Sequence, residues 1–150
     1  MRKLIFLILL FVSIKSFSQE IQLYRKHVDS VLIKRSHSKR KIIAVKVDKT
    51  NVYFSFDKKT KELLSISYTA DLDTATSISS KYIYEFIGGK FAILRKFNDQ
   101  LAEVFRSIGR AQYYFQNDIL VAVEEINTKI ENIDTQLELL RHFIIIIPKY

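Results

Sequence analysis

The sequence predicts an α+β fold in which an antiparallel β-meander of about six or seven strands is flanked by an N-terminal and a C-terminal helix. Three strand-like segments follow one another across polar turns, and amphipathic helical patterns lie on both sides of them. The 150 residues include 11 Phe and 8 Tyr but only 3 Gly and 1 Pro. A chain of this length has room for one compact core, which we expect to rest on aromatic strands.

The first residues have the three parts of a secretory signal peptide. Arg2 and Lys3 precede the apolar run LIFLILLFVSI, which ends at Ile14 and covers 11 residues. A run of this length is too short for a bilayer core, which needs about 20 residues. Ser16 and Ser18 are small enough for the positions that precede a signal peptidase cut.

We therefore expect a signal peptide at 1–18, a single α+β hairpin-repeat domain at 19–150, and a periplasmic or extracellular location without a transmembrane span in the mature protein. The SFSQ ending resembles that of exported proteins of Gram-negative bacteria. Removal of the peptide takes away three cations (Arg2, Lys3 and Lys15) and lowers the formal net charge from +8 to +5. The chain has no cysteine, which excludes a disulfide scaffold, a thiolate metal site and a cysteine nucleophile.

A helix and a strand are expected before the hairpins. Between Glu20 and Ile33, apolar residues recur at three- and four-residue spacing, which predicts an amphipathic helix. The segment KIIAVKV at 41–47 predicts a strand that begins the meander.

Three segments of the chain repeat one pattern of an aromatic strand, a polar turn and an aliphatic strand. They are VYFSFDKKTKELLSISY at 52–68, YIYEFIGGKFAILRKFN at 82–98 and AQYYFQNDILVAVEEIN at 111–127. The pattern is typical of a β-hairpin, and the second and third segments align without a gap at an offset of 29 residues.

The turns of these hairpins predict a register. Gly88-Gly89 and Asn117-Asp118 suit two-residue turns with positive φ. Uninterrupted pairing from these turns would place apolar residues on both faces of the sheet. The expected cross-strand pairs are Phe86–Phe91, Tyr84–Ile93 and Ile83–Leu94 around the first turn, and Phe115–Leu120 and Tyr113–Ala122 around the second.

The hairpin rhythm resembles the tandem short-hairpin repeats of MORN-variant and YwqK-like antitoxin proteins, in which an aromatic strand leads through an Asn-Gly turn to an aliphatic strand. The resemblance covers residues 52–126. This chain differs in having GG and ND at the turns and a longer spacing. The resemblance implies a protein- or surface-binding role and carries over no catalytic residues.

Two further helical patterns follow. Asn98 is a candidate N-cap of a short helix that ends at Gly109, and Asn127 is a candidate N-cap of the C-terminal helix. The tail FIIIIPKY at 143–150 is β-branched and favours a final strand or a buried extended segment. The residues expected to face inward are Leu101, Val104, Phe105 and Ile108 in the first helix, and Ile130, Ile133, Leu137 and Leu140 in the second.

The sequence contains no recognisable metal or cofactor motif. His27, His37 and His142 are widely spread and lack metal-ligand spacing. Asp71 and Asp73 are not followed by the glycine and the closing glutamate of a calcium loop. We therefore expect no cofactor and no metal.

Two groups of residues are candidates for a binding surface. The segment KRSHSKRK at 34–41 has five formal positive charges and no carboxylate, which favours contact with an anionic surface or an acidic partner; the alternative is a solvated linker. The strand tyrosines favour an aromatic face; the alternative is cross-strand packing. The candidates are Lys34, Arg35, Lys39, Arg40 and Lys41 in the basic segment, and Tyr82, Tyr84, Tyr113 and Tyr114 in the aromatic face.

These observations predict a small exported, non-enzymatic binding protein that acts through the sheet or the basic segment. Its partner is expected to be an envelope protein or an anionic surface rather than a nucleic acid. One alternative is a cell-envelope hydrolase, although Glu103, Glu124 and Glu125 form no recognisable acid/base pair and no GxSxG motif is present. A second alternative is a carrier of an apolar ligand held between the helices and the sheet.

Overall fold

A computed structural model of the chain describes residues 2–70, 78–100 and 106–150. Two compact units are present, residues 1–37 and residues 38–150. Among the described residues, no helix has a stretch long and apolar enough to cross a membrane. The elements are α1 (Arg2–Ser36), β1 (Arg40–Val47), β2 (Thr50–Asp57), β3 (Leu63–Thr69), β4 (Ile78–Ile87), β5 (Lys90–Gln100), β6 (Arg106–Gln116), β7 (Ile119–Ile126) and α2 (Ile133–Ile145).

The first unit contains α1, which confirms the helix expected between Glu20 and Ile33 and is longer than that segment. Its last turn carries Lys34 and Arg35, where the helix dipole favours cations. The hydroxyl of Ser36 donates to the carbonyl of Ile33 at 2.7 Å and satisfies one of the last carbonyl groups of the helix.

The second unit is a seven-stranded antiparallel meander followed by α2, and it confirms the predicted fold class. The strands lie side by side in chain order, from β1 to β7. Gly88 and Gly89 have φ of 57° and 73°, and Asn117 and Asp118 have φ of 50° and 64°. Positive φ at both central residues is the geometry of a type I′ hairpin turn, as the two dipeptides predicted.

A β-bulge shifts the register of each repeated hairpin by one residue. The pairs next to the turns, Phe86–Phe91 and Phe115–Leu120, are confirmed. Beyond them the predicted register is wrong, because one unpaired residue is inserted at the same place in all three repeats: Leu64, Ala92 and Val121. The observed pairs are Tyr84–Leu94 and Ile83–Arg95 in the second hairpin, and Tyr113–Val123 and Tyr114–Ala122 in the third.

The bulges gather apolar side chains on the side of the sheet that packs against α2, which we call the helix face. An uninterrupted register would have separated Tyr84 from Leu94, whereas the bulge places them directly opposite each other. The Phe143 ring of α2 lies 5.5 Å from the Tyr68 ring and 6.1 Å from the Tyr84 ring. One row of paired residues crosses this face from edge to edge: Ile43, Phe54, Ile66, Tyr84, Leu94, Tyr113 and Val123.

The C-terminal helix differs from the prediction at both ends. Its N-cap is Asn132, which accepts a hydrogen bond from the Thr135 N–H at 3.0 Å, whereas Asn127 has φ of 56° just after β7. The predicted strand or extended segment in the tail is wrong at its start, because α2 continues to Ile145. Phe143 lies one helical turn after Leu140, and both are buried in the core, so packing overrides the β-propensity of the isoleucines.

The prediction of a short helix between Asn98 and Gly109 is also wrong at both ends, because Asn98 belongs to β5 and Gly109 belongs to β6. The Asn98 side chain accepts from Ser80 Oγ at 2.9 Å and donates to Thr128 Oγ1 at 3.0 Å. Gly109 pairs with Asn98, and a Cβ there would lie 3.0 Å from the Asn127 carbonyl oxygen. Of the residues expected to face inward, Ile108 lies in β6, and Leu101, Val104 and Phe105 lie outside the described residues.

Candidate functional site

Lysines from two separate parts of the sequence line one groove beside the start of β1. Antiparallel pairing explains why they meet: β1 begins opposite the end of β2, so the residues before β1 lie beside those after β2. The Lys58 N–H donates to the Lys39 carbonyl at 3.0 Å and holds the two segments together. The groove has a volume of about 430 Å³ and is lined by Ser38, Lys39, Asp57, Lys58 and Lys59.

Asp57 organises the loop between β2 and β3. Its Oδ1 accepts from the backbone N–H groups of Lys59 at 2.7 Å and Thr60 at 2.9 Å, and its carbonyl accepts from the Lys61 N–H at 2.9 Å. This is the local pattern by which Asp stabilises turns. The carboxylate therefore has a structural role in the loop, while the side chains of Lys58 and Lys59 are exposed to solvent.

Tyr150 extends the basic surface from the groove to the neighbouring lysines. Lys41 Nζ lies 4.4 Å and Lys61 Nζ lies 5.7 Å from the centroid of its ring, and such contacts stabilise by about 0.5–1 kcal/mol at exposed sites. The ring packs against Phe56 at 5.5 Å, and its hydroxyl donates to the Lys58 carbonyl at 3.3 Å. The chain after α2 therefore returns to the start of β1.

We call the five lysines Lys39, Lys41, Lys58, Lys59 and Lys61 the basic patch. Their ammonium groups are point charges on flexible stems, so they attract phosphate and carboxylate groups without imposing one fixed geometry. A cluster of one sign of charge attracts an extended anionic surface from a distance. This chemistry suits attachment to an array of anions better than recognition of one small molecule.

The structure divides the predicted basic segment between the two units. Lys39, Arg40 and Lys41 lie at the start of β1, whereas Lys34 and Arg35 end α1 in the first unit. Arg40 lies opposite Asp57 in the register.

Sequence reasoning missed the lysines of the loop, Lys58, Lys59 and Lys61, as part of this site. By itself the segment DKKTKE at 57–62 predicts only a longer, charged loop between two strands. The strand that precedes it pairs with β1, and that pairing was the signal that could have placed the loop beside residues 39–41.

The four candidate tyrosines lie on two faces of the sheet. Tyr82, Tyr84 and Tyr113 are on the helix face, and Tyr114 is on the opposite face. Tyr84, Tyr113 and Tyr114 are buried, and Tyr82 is half-buried with its ring stacked on Tyr68 at 5.2 Å. The aromatic binding face stays a prediction, and the packing role of these rings is evident in the core.

A hydroxyl network joins the helix face to α2. The hydroxyls of Tyr68 and Tyr84 donate to Gln136 Oε1 at 2.9 Å and 2.8 Å, and Tyr84 also lies 3.0 Å from the Gln136 carbonyl. Tyr113 donates to the Glu125 carboxylate and accepts from the Ile130 N–H at 3.2 Å. Burial raises the pKa of Tyr68, Tyr84 and Tyr113, so these hydroxyls remain protonated donors at neutral pH.

The carboxylates considered for hydrolysis do not converge in the described residues. Glu124 and Glu125 are neighbours in β7 and point to opposite faces. Glu124 accepts from Arg110 at 3.0 Å and from Gln112 at 3.3 Å on the face opposite α2. Glu103 lies outside the described residues, and so do Asp71 and Asp73, which were considered for a calcium loop and not for hydrolysis.

The histidines of the described chain are not gathered at a site. His27 and His37 are exposed in the first unit, and His142 Nδ1 lies 2.9 Å from the Glu138 carbonyl on α2. Within residues 2–70, 78–100 and 106–150, no group of three or more His, Asp or Glu side chains is placed to hold a metal ion.

A second cleft, which has four apolar side chains in its lining, lies between α2 and the turns of the last two hairpins, and we call it the apolar cleft. Its volume is about 290 Å³, at the lower limit of the roughly 300–1,000 Å³ of small-molecule sites. Its lining residues are Phe91, Asp118, Leu137, Leu140, Arg141 and Ile144.

Comparison with known proteins identified no relatives. No protein-family model matches this chain, and no match was found among curated proteins or solved structures. The hairpin-repeat resemblance therefore stays a prediction from the sequence.

Proposed function

We propose that this chain is a small exported, non-enzymatic binding protein that attaches to an anionic lipid surface through the basic patch. The observation that carries the proposal is the groove in which Lys39 meets Lys58 and Lys59 although 19 positions separate the first two in the sequence. Export is part of the proposal because the first 18 residues have the composition of a signal peptide. The location is periplasmic or extracellular, where anionic head groups are available.

The contribution of the groove lysines to membrane affinity can be estimated. A lysine near an anionic membrane contributes about 1 kcal/mol. Removing Lys39, Lys58 and Lys59 should therefore cost about 3 kcal/mol, which is about a 100-fold loss of affinity. The interaction should also weaken as salt is added, because surface charges are screened within about 8 Å at physiological ionic strength.

Vesicle co-sedimentation tests the proposal. The chain should bind phosphatidylcholine vesicles that contain phosphatidylglycerol, release them at high NaCl, and bind pure phosphatidylcholine weakly. The variant Lys39→Ala/Lys58→Ala/Lys59→Ala should lose most of this binding. A matched variant, Lys81→Ala/Lys90→Ala/Lys129→Ala, loses the same charge at exposed positions elsewhere in the second unit and should retain it.

Two results would contradict the proposal. Equal loss in the two triple variants would mean that only the net charge acts, and binding that is insensitive to salt would exclude an electrostatic contact. Inorganic phosphate added as competitor distinguishes a surface from a soluble anion. A surface site should release no more protein in phosphate than in NaCl of the same ionic strength, whereas a specific phosphate site should be emptied at phosphate concentrations where the matched NaCl releases little.

The apolar cleft favours a second candidate function, the binding of a small apolar ligand. Phe91, Leu137 and Leu140 supply its apolar wall. A fluorescent fatty acid should then be bound by the chain and lost after Leu137→Lys, with the fold retained by circular dichroism. Fatty-acid binding that is unchanged in this variant would exclude the cleft.

A further inference from the structure

We propose that the two edge strands of the sheet pair with each other between copies of this chain, with β7 of one copy beside β1 of the next. This inference goes beyond the proposed surface attachment and rests on the two edge strands, of which β1 also carries Lys41 of the basic patch. Each edge strand has a hydrogen-bonded neighbour on one side, β2 for β1 and β6 for β7. Each strand is eight residues long, so the two edges match in length.

Several apolar side chains of the edge strand β7 are exposed to solvent. Ile119 is 67% exposed, and Val123 and Ile126 are each 45% exposed. On β1, Ile42 is 63% exposed. An edge strand with apolar side chains is a template for the addition of another strand.

Charge determines which edges fit together. The strand β1, RKIIAVKV, carries Arg40, Lys41 and Lys46 and no acidic residue, whereas β7, ILVAVEEI, carries Glu124 and Glu125 and no basic residue. Two β1 edges repel each other, and so do two β7 edges, because like charges opposite each other in a sheet are destabilising. Only the unlike edges combine apolar contact with opposite charge, which gives the pairing its specificity.

An antiparallel register pairs the opposite charges of the two edges. Because β1 and β7 run in the same direction within one copy, a copy that is added antiparallel presents its helix face on the other side of the joined sheet. When Lys41 lies opposite Glu124, Ile43 lies opposite Ala122. Lys41 and Ile43 belong to the helix face whereas Glu124 and Ala122 belong to the opposite face, so the helix faces alternate from one copy to the next. The basic end of β1 then lies beside the acidic end of β7, and the apolar centres of the two strands coincide.

This pairing joins different surfaces of the two copies. After two copies associate, one free β1 edge and one free β7 edge remain, so addition continues into a row or a ring of copies. The full-length chain should therefore show a weight-average mass that increases with concentration and is not limited to a dimer.

Light scattering or sedimentation equilibrium of the chain expressed from its full sequence tests the inference. The edge variant Val123→Lys/Ile126→Lys places cations opposite the basic strand and should reduce association at least tenfold. The matched control Ile144→Lys/Ile145→Lys adds the same charge on α2, at residues that are 44% and 82% exposed, and should associate like the unmodified chain. Circular dichroism establishes that both variants keep the fold.

Three outcomes would overturn the inference. They are a mass that does not depend on concentration, an edge variant that associates as strongly as its control, and association that becomes stronger with added NaCl. The last result would indicate apolar aggregation, because salt screens the contacts between Lys41 and Glu124 but strengthens apolar burial. The variant Lys58→Ala/Lys59→Ala alters the groove but neither edge strand, so it should associate normally and separates failure of this inference from failure of surface attachment.

Discussion

The side chain of Gln136 is expected to be the polar contact that fixes α2 on the sheet. Replacement with leucine keeps a similar volume but removes the acceptor of Tyr68 and one of the two acceptors of Tyr84. Tyr84 retains the backbone carbonyl of Gln136 at 3.0 Å. The Tyr68 hydroxyl then has only the Tyr84 hydroxyl as a partner, and the expected cost is about 1–3 kcal/mol of the free energy of unfolding.

A double-mutant cycle isolates this contact. Tyr68→Phe alone should cost about 0.5–1.5 kcal/mol, because Gln136 still accepts from Tyr84. Once the Tyr68 hydroxyl is absent, Gln136→Leu no longer leaves that donor without its acceptor. The loss of stability in the double variant should therefore be smaller than the sum of the two single losses by about 1–2 kcal/mol.

Urea unfolding of the four proteins, followed by circular dichroism, measures the cycle. Glu138→Leu provides the control on the same helix, since this side chain is exposed and its replacement should change stability by less than about 0.5 kcal/mol. Additive losses from Tyr68→Phe and Gln136→Leu would refute the role assigned to the hydroxyl network. A cost of Gln136→Leu no larger than that of Glu138→Leu would refute it as well.

Three further predictions concern the close packing of Gly109 in β6, the buried tyrosines and the cap of α2. Gly109→Ala should destabilise by about 1–3 kcal/mol in urea unfolding, because a Cβ would lie 3.0 Å from backbone and side-chain atoms of the next loop; a neutral result would contradict this packing. Burial raises the pKa of Tyr68 and Tyr84 above the unfolded value. Their contribution to stability is therefore complete below about pH 10 and is lost as the pH rises above it. Ultraviolet titration should show tyrosinate from these residues only together with unfolding, and early reversible ionisation of every tyrosine would be inconsistent with their burial. Asn132→Ala should cost about 1 kcal/mol of stability in urea unfolding, and a cost no larger than that of Glu131→Ala at the exposed neighbouring position would contradict the assignment of this cap.

Local sequence patterns were sufficient to predict the strands of the sheet and the hairpin turns between them. Gly88-Gly89 and Asn117-Asp118 adopt the positive φ that their residue types suggested. The register beyond the turns was wrong because a bulge depends on which face is buried, and α2 covers the helix face from a distant part of the sequence. Ala92 and Val121 give no local indication that they leave the ladder.

Tertiary packing also explains why two predictions about helices were wrong. Asn98 and Gly109 have the propensities of helix caps, yet Thr128 in a later loop contacts both and holds them in the sheet. Phe143 lies in a β-branched tail, yet its ring packs on two tyrosines of the core and keeps it helical. Propensity is a weak guide wherever such contacts form.

The candidate site was visible in the sequence only in part. The lysines of residues 39–41 were recognised from their run of charge. Lys58, Lys59 and Lys61 join them through strand pairing, and Tyr150 joins them through the return of the chain after α2. Because the cluster combines three parts of the sequence, the run of charge in one part predicts its own lysines but not the residues that join them.

The most direct test of the proposed function is a residue-by-residue map of where anionic lipid contacts the protein. Backbone amide spectra of the labelled chain, titrated with short-chain phosphatidylglycerol and separately with phosphatidylcholine, provide it. Our account predicts that phosphatidylglycerol shifts the amides of Lys39, Lys58 and Lys59 most strongly, while those of Asn127 and Thr128, which follow β7 at the other edge of the sheet, stay in place. Shifts that are equal for the two lipids, or that are centred away from the groove, would contradict it.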